Sequence, residues 1–189
     1  MSICGILQLL TRCHFLFKGG KAVSSEMLLK LKPEKRTAIE AALLAEFMQH
    51  PVAEAQVARI VKGAGISRGA FYNYFKDLPD AYRYLYKIAM QDIHQGIRKK
   101  GKRSKDFGDE TRRFIENTQT SKYYELIQMH FHYNEVYVTR LVAPVEANSE
   151  LQWAKMTLAH DTIRGALIEP ETAQARLRQL EKVLKTLEE

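Results

Sequence analysis

Residues 56–74 constrain the fold of this chain more than any other stretch of its sequence. Apolar residues recur at helical spacing up to Gly65, which stands where a chain leaving a helix often adopts a left-handed conformation. Ser67 follows where its hydroxyl can accept a hydrogen bond from an unpaired backbone N–H of a new helix. Phe71 and Phe75, four residues apart, share one face of that helix. The stretch therefore predicts two short helices joined by a tight turn.

Two helices in this arrangement can present the second one to the major groove of DNA. Arg68 suits a guanine edge or a phosphate, and the small residues Gly69 and Ala70 would let the helix N-terminus approach a phosphate closely. Tyrosine hydroxyls can donate to phosphates, which fix position, whereas base edges carry the sequence information. The residues expected to contact DNA are Gln56, Ser67, Arg68, Gly69, Ala70, Tyr72, Asn73, Tyr74 and Lys76.

This stretch resembles the helix-turn-helix of the TetR family of bacterial transcriptional regulators. The shared pattern is Ile60-Val61-x-x-Ala64-Gly65-Ile66-Ser67-Arg68-Gly69-x-Phe71-Tyr72-x-Tyr74-Phe75. The resemblance implies an all-α fold, in which an N-terminal three-helix helix-turn-helix head precedes a helical regulatory and dimerisation body. The chain departs from the family pattern at three positions. Pro51 stands where glycine is usual, Gln56 where threonine or serine is usual, and Leu78 where a basic residue is common.

Apolar periodicity and the positions of proline divide the chain into segments. We expect an N-terminal extension without function over residues 1–31, a DNA-binding domain over 32–78 and a ligand-binding and dimerisation domain over 79–189. The alternative for the extension is a helix that packs on a partner or a membrane surface. Helices are predicted over residues 33–49, 79–99, 107–117, 121–142, 151–168 and 171–187. The helix over 121–142, which Ser121 would cap, is apolar on most sides and is therefore predicted to be central in the body.

Charge is distributed unevenly along the chain, whose formal net charge is +7. Residues 27–105 carry 16 basic and 7 acidic side chains, a net of +9, whereas residues 106–189 carry 10 basic and 14 acidic ones, a net of −4. This asymmetry is typical of a head that binds a polyanion, although a solvated basic face would look the same. Cys4 and Cys13 are the only cysteines, which fits a reducing cytoplasm.

The resemblance also implies a homodimer and a small-molecule effector bound in the body. The aromatic body residues predicted to line its pocket, if they are not ordinary core, are Tyr124, His130, Tyr133, Tyr137 and Trp153. The last two helices would pair with those of a second copy, unless they pack on their own chain. The residues predicted for that contact are Met156, Ile163, Leu177, Leu180 and Leu184.

No catalytic motif stands out, so we predict neither an enzyme nor a cofactor. His130 and His132 are spaced i, i+2 near Glu135, and this spacing is poor for a shared metal, so no metal site is predicted. Taken with the sequence, the resemblance implies a cytoplasmic homodimeric repressor that binds specific double-stranded DNA, responds to a ligand and has no membrane segment. The alternative is a helical interaction or metal-binding protein without specific DNA binding.

Overall fold

The computed structural model describes residues 27–28, 30–99, 106–139 and 150–187. These residues form helices and turns and no strand, which confirms the predicted all-α class. Residues 1–26, most of the predicted extension, lie outside the described residues, as do residues 140–149.

Three helices build the head: α1 (Pro33–Gln49), α2 (Val57–Ala64) and α3 (Arg68–Tyr74). Pro33 occupies the first position of α1, where its missing N–H costs no hydrogen bond. Gly65 ends α2 with φ +62°, a left-handed conformation that favours glycine. The side chain of Ser67 then caps α3. The helices expected in this region are confirmed.

The core of the head forms where α1 packs against α2 and α2 against α3. Ile39, Leu43, Ile60 and Phe71 are fully buried there. α1 and α2 approach closely at Gly63, where an added Cβ would lie 3.3 Å from the Cβ of Ala42. The relative position of these two helices is therefore fixed by small residues as well as by large ones.

The body begins with α4 (Leu78–Lys99) and continues with α5 (Phe107–Gln119), whose first turn is capped by Asp106. After the undescribed residues 140–149, α8 (Glu150–Ile168) leads through a short 3-10 turn (Pro170–Thr172) into α9 (Ala173–Thr186). α5, α8 and α9 pack on one another, and α5 also packs on α4.

The helix predicted over 121–142 is not continuous. The chain forms α6 (Tyr124–Met129), a π turn (His130–Asn134) and α7 (Val136–Thr139). Ser121 does not cap this helix in the expected way, because its hydroxyl accepts from the Tyr123 amide one residue before α6 begins. Tyr133 is 63% exposed, so the segment is also not buried on all sides.

The head and the body meet along α1, which packs against α4 and α6. The ring of Phe47 meets that of Tyr82 edge-on at 5.2 Å between centroids. The hydroxyl of Tyr84 donates to Glu40 at 2.7 Å. The amide of Val52 donates to the side-chain oxygen of Asn134 in the π turn at 2.9 Å.

Candidate nucleic-acid interface

The start of α3 is fixed by one local hydrogen bond. The hydroxyl of Ser67 accepts from the backbone N–H of Ala70 at 3.1 Å, so it takes up one of the donors that a helix start leaves unpaired. Phe71 and Phe75 lie in the core, with ring centroids 5.3 Å apart, and anchor the inner side of α3. The outer side of the helix is thereby set in a defined orientation.

Most of the residues predicted to contact DNA lie on that outer side or next to it. Tyr72 is 48% exposed, and the guanidinium of Arg68 lies over its ring at 5.9 Å from the centroid. Ala70 is half-buried. The exposed members of the set are Gln56, Ser67, Arg68, Gly69, Tyr72, Asn73 and Lys76.

Tyr74 departs from the prediction. It is 7% exposed and belongs to the hydrophobic core. The inward face of α3 takes residues three and four positions apart, so a helix that buries Phe71 also turns Tyr74 inward, together with Phe75 just beyond its end. Tyr74 is therefore not part of the exposed face.

Gly69 is not required by packing within the described part of the chain. A Cβ built there would have Ser67 Oγ, at 3.9 Å, as its nearest neighbour. Its φ is not positive, unlike that of Gly65. The absence of a side chain leaves the first turn of α3 open to a close approach from outside the chain.

Gln56 stands at the start of α2, and its side chain makes no capping hydrogen bond. Its backbone N–H instead donates to Oε1 of Glu46 at 2.7 Å. The same carboxylate accepts from Arg59, so α1 holds the start of α2. Glu46 and Arg59 are not among the residues predicted from sequence, although an acidic residue inside the apolar stripe of α1 indicates a buried partner.

The turn after α3 is also held by side chains. Asp80 accepts from the backbone N–H of Lys76 at 3.1 Å, and Asp77 accepts from that of Asp80 at 2.7 Å. Leu78 begins α4, so the position that is commonly basic in the family carries no charge here. The exposed Lys76 is the cation next to it.

The five residues predicted to line an effector pocket differ in their exposure and contacts. Tyr133 and Trp153 are 63% and 54% exposed. The hydroxyl of Tyr124 accepts from Gln128 on its own helix. Tyr137 is partly buried against the core. The stripe of aromatic residues was assigned to one α-helix, and the π turn interrupts the regular α-helical spacing of that stripe.

His130 is the buried member of this set, and it faces α4. Its Nδ1 is hydrogen-bonded to the hydroxyl of Tyr82 at 2.9 Å, and its ring lies 4.2 Å from that of Tyr86. Burial, and after it the nearby His160, lowers the pKa of His130 to about 3. His130 is therefore neutral in the folded chain at neutral pH.

The five residues predicted to form a dimer contact are buried within the single chain. Their exposed fractions are 3% for Met156, 1% for Ile163 and Leu177, 3% for Leu180 and 7% for Leu184. The stripes of α8 and α9 pack on each other and on α5, so this prediction is corrected. The larger exposed apolar side chains of α8 and α9 are Leu151, Trp153 and Val183.

The histidines of the π turn do not converge. His130 points into the core, whereas His132 is exposed. Within the described ranges, no group of three or more histidine, cysteine, aspartate or glutamate side chains is placed to hold a metal ion. Across the same ranges, no helix has the length and apolar content needed to span a bilayer.

Comparison with known proteins agrees with this geometry. A family model described as bacterial regulatory proteins, tetR family, matches residues 39–77, which run from α1 through α3. The crystal structure of a TetR family transcriptional regulator from Chloroflexus aurantiacus J-10-FL is similar, with a TM-score of 0.50 and 18% identity. The match covers 86% of this chain and 95% of that one. No curated protein sequence matches the chain.

A capped helix-turn-helix with an exposed second helix, joined to an all-helical body, defines a class of DNA-binding regulatory proteins. The matched domain and the shared fold make the assignment more specific. Residues 39–77 match the DNA-binding domain of bacterial regulatory proteins of the tetR family, and the chain shares its all-helical fold with a TetR family transcriptional regulator.

Proposed function

We propose that this chain regulates transcription by binding a specific DNA sequence, with α3 in the major groove. The exposed face of α3 carries this proposal: Arg68, Tyr72 and Asn73 face outward from a helix whose other side is core. Arginine and asparagine pair with guanine and adenine edges, and a tyrosine hydroxyl can donate to a phosphate. The open first turn at Gly69 supports a close approach of the DNA backbone.

The charge of the chain supports the same assignment. Residues 27–105 carry a net charge of +9, and this part includes all three head helices. Basic side chains attract phosphates and speed association in a salt-dependent way. The proposed DNA-binding domain spans residues 32–78 and the proposed regulatory body spans residues 79–189, with residues 1–31 as an extension without function.

The proposed regulator acts as a homodimer in the cytoplasm, where bacterial DNA lies. Two heads related by a two-fold axis suit a palindromic site. Since the predicted contact residues are buried, the proposed contact uses exposed side chains of α8 and α9, including Trp153 and Val183. The proposed mode is repression relieved by a small-molecule effector in the body, with no enzymatic activity.

Fluorescence anisotropy with duplex DNA from beside the gene of this protein tests the proposal. Arg68→Ala should weaken binding to the specific duplex by about tenfold or more, as expected for the loss of a good base contact. Tyr72→Ala should also weaken it. Lys122→Ala removes an exposed cation from the body outside α8 and α9 and is the matched control, for which no change is expected.

Weak binding that is equal on all duplexes and insensitive to Arg68→Ala would contradict this function. That result would favour a helical interaction protein that does not bind specific DNA. Gln56 and Leu78, which depart from the family pattern at two backbone-contact positions, are the features that make this alternative worth testing.

A further inference from the structure

The turn between α1 and α2 is held at both of its ends. Toward α2, the N–H of Gln56 donates to Glu46 of the head itself. Toward α1, the N–H of Val52 donates to Oδ1 of Asn134 at 2.9 Å, in a buried hydrogen bond between residues 82 positions apart. The second bond comes from the body, so the body takes part in holding the turn that leads into the DNA-reading helices.

Asn134 is an unusual choice for its surroundings. It is 0% exposed and ends the π turn. Its Oδ1 is used by Val52, but its Nδ2 has no hydrogen-bond partner among the described residues. A buried amide with an unpaired donor costs stability, whereas an apolar side chain of similar size would not carry that cost. Core packing alone therefore does not account for an asparagine at this position.

A second polar contact leaves the same π turn four residues earlier. His130 is hydrogen-bonded to the hydroxyl of Tyr82 on α4 at 2.9 Å. The ring of Tyr82 in turn packs edge-on against Phe47 on α1. One end of the π turn thus contacts the turn between α1 and α2, and the other end contacts α4, which packs on α1. π turns within helices are often found at functional positions.

We propose that Asn134 is a positioning residue for DNA binding. Its Oδ1 accepts a hydrogen bond from the Val52 N–H and so holds the turn over residues 50–56. That turn sets the orientation of α2 and α3. This inference rests on the proposed function, because an orientation matters only if α3 reads DNA. If the head adopts the DNA-binding orientation for only a fraction of the time, its apparent affinity for DNA is reduced in proportion to that fraction, although none of its DNA contacts has changed.

The test uses the full chain and the duplex that the wild type binds specifically. Asn134→Leu fills the same space without an acceptor. Its affinity should fall about fivefold, the equivalent of one hydrogen bond. The slope of affinity against salt should stay at the wild-type value, because no phosphate contact is removed. Hydrogen exchange at the Val52 amide should become faster.

Tyr133→Ala is the matched control, since Tyr133 precedes Asn134 in the same π turn and is 63% exposed. It should leave DNA affinity, salt slope and Val52 exchange unchanged. Affinities are compared under conditions where denaturant titration shows every variant to be folded. A destabilised Asn134→Leu protein whose folded fraction binds DNA as tightly as the wild type would overturn the proposal, since Asn134 would then be merely structural.

A measurement on the wild type covers the case in which Asn134→Leu does not fold. If the Val52 bond favours the DNA-binding orientation, bound DNA must favour the bond in return. Specific DNA should therefore slow Val52 amide exchange several-fold, and no change would overturn the proposal. Failure of the proposed function would be recognised separately, because the wild-type protein itself would then bind all duplexes equally.

Discussion

Glu46 and Arg59 form an ion pair that ties α1 to the start of α2, with Arg59 Nη2 at 2.6 Å from Glu46 Oε1. Nε of Arg59 donates to the two carboxylate oxygens at 3.0 and 2.8 Å. The N–H of Gln56 donates to Oε1 as well. Because Glu46 is only 5% exposed, its charge has lost most of its hydration and depends on these donors.

Glu46→Ala should lower the free energy of unfolding by about 2 kcal/mol, since the Gln56 amide loses its charged acceptor. Burial alone would raise the pKa of Glu46, but the Arg59 and Gln56 hydrogen bonds outweigh it and the pKa is lowered. A carboxyl whose pKa is lowered by folding stabilises the protein fully at pH values above its pKa in the unfolded chain. This stabilisation is lost as the pH falls through its pKa in the folded protein. Urea titrations of the wild type and of Glu46→Ala at pH 7 and at a pH below about 4 test the loss of stability and its dependence on pH.

The control for this prediction is Glu54→Ala, which removes an exposed carboxylate from the same turn. Its stability should equal that of the wild type within about 0.5 kcal/mol. Equal stability of Glu46→Ala and Glu54→Ala at neutral pH would show that the buried pair does not stabilise the head.

Gly65 and Gly69 should respond to alanine in opposite ways. Gly65 has φ +62°, so Gly65→Ala should cost roughly 1 kcal/mol of stability through backbone strain. Gly69→Ala should cost no stability, because the added Cβ makes only an ordinary van der Waals contact, with Ser67 Oγ at 3.9 Å. It should nevertheless weaken DNA binding, since the methyl group blocks the close approach of the first turn. Thermal unfolding and anisotropy on both variants give the comparison, and unchanged DNA affinity for Gly69→Ala would contradict it.

Acid should destabilise the protein through His130. Its pKa is lowered to about 3 by burial and by His160, whereas an unfolded histidine titrates near 6.5. The unfolded chain then binds the extra proton, so stability falls as the pH drops below about 6.5. Between pH 7.5 and 5 this amounts to about 2 kcal/mol.

His130→Phe should remove most of that pH dependence, and His132→Phe, at an exposed position, should leave it in place. Urea midpoints measured over this range compare the two variants. A wild-type slope retained in His130→Phe would assign the effect to another group, such as His160, whose pKa is also lowered by its burial.

Removing the hydroxyl group should affect DNA affinity differently at the two tyrosines of α3. Tyr72→Phe should weaken DNA binding, because the exposed hydroxyl is available to a phosphate. Tyr74→Phe should leave DNA affinity unchanged, because this ring lies in the core at 7% exposure. Anisotropy on the specific duplex distinguishes the two, and an equal loss in both variants would contradict the orientation of α3 described above.

The head could be predicted from sequence because its signals are local. Pro33, Gly65 and Ser67 each fix a helix end through the chemistry of one residue. Tyr74 was assigned wrongly because it lies three residues after Phe71, and residues three and four positions apart share one face of a helix. Glu46 is marked as unusual by its place in the apolar stripe of α1, but its partner Arg59 lies on another helix, and no local pattern specifies that contact.

The body was harder to predict for the same physical reason. The apolar stripes of α8 and α9 were evident, but periodicity does not specify the partner against which a stripe packs. Leu177 and Leu184 turned out to be buried within their own chain rather than available to a second copy. The π turn has no sequence signal comparable to proline or glycine, so the break after Met129 could not be anticipated.

The bond between Val52 and Asn134 also sets an order of events during synthesis of the chain. The three head helices are complete in sequence once Tyr74 has been made, but the acceptor for Val52 is added 60 residues after that, at position 134. Domains generally fold from the N-terminus as the chain emerges. A nascent or truncated chain that stops before Asn134 therefore carries all the residues of the DNA-reading face on a turn that the body has not yet secured.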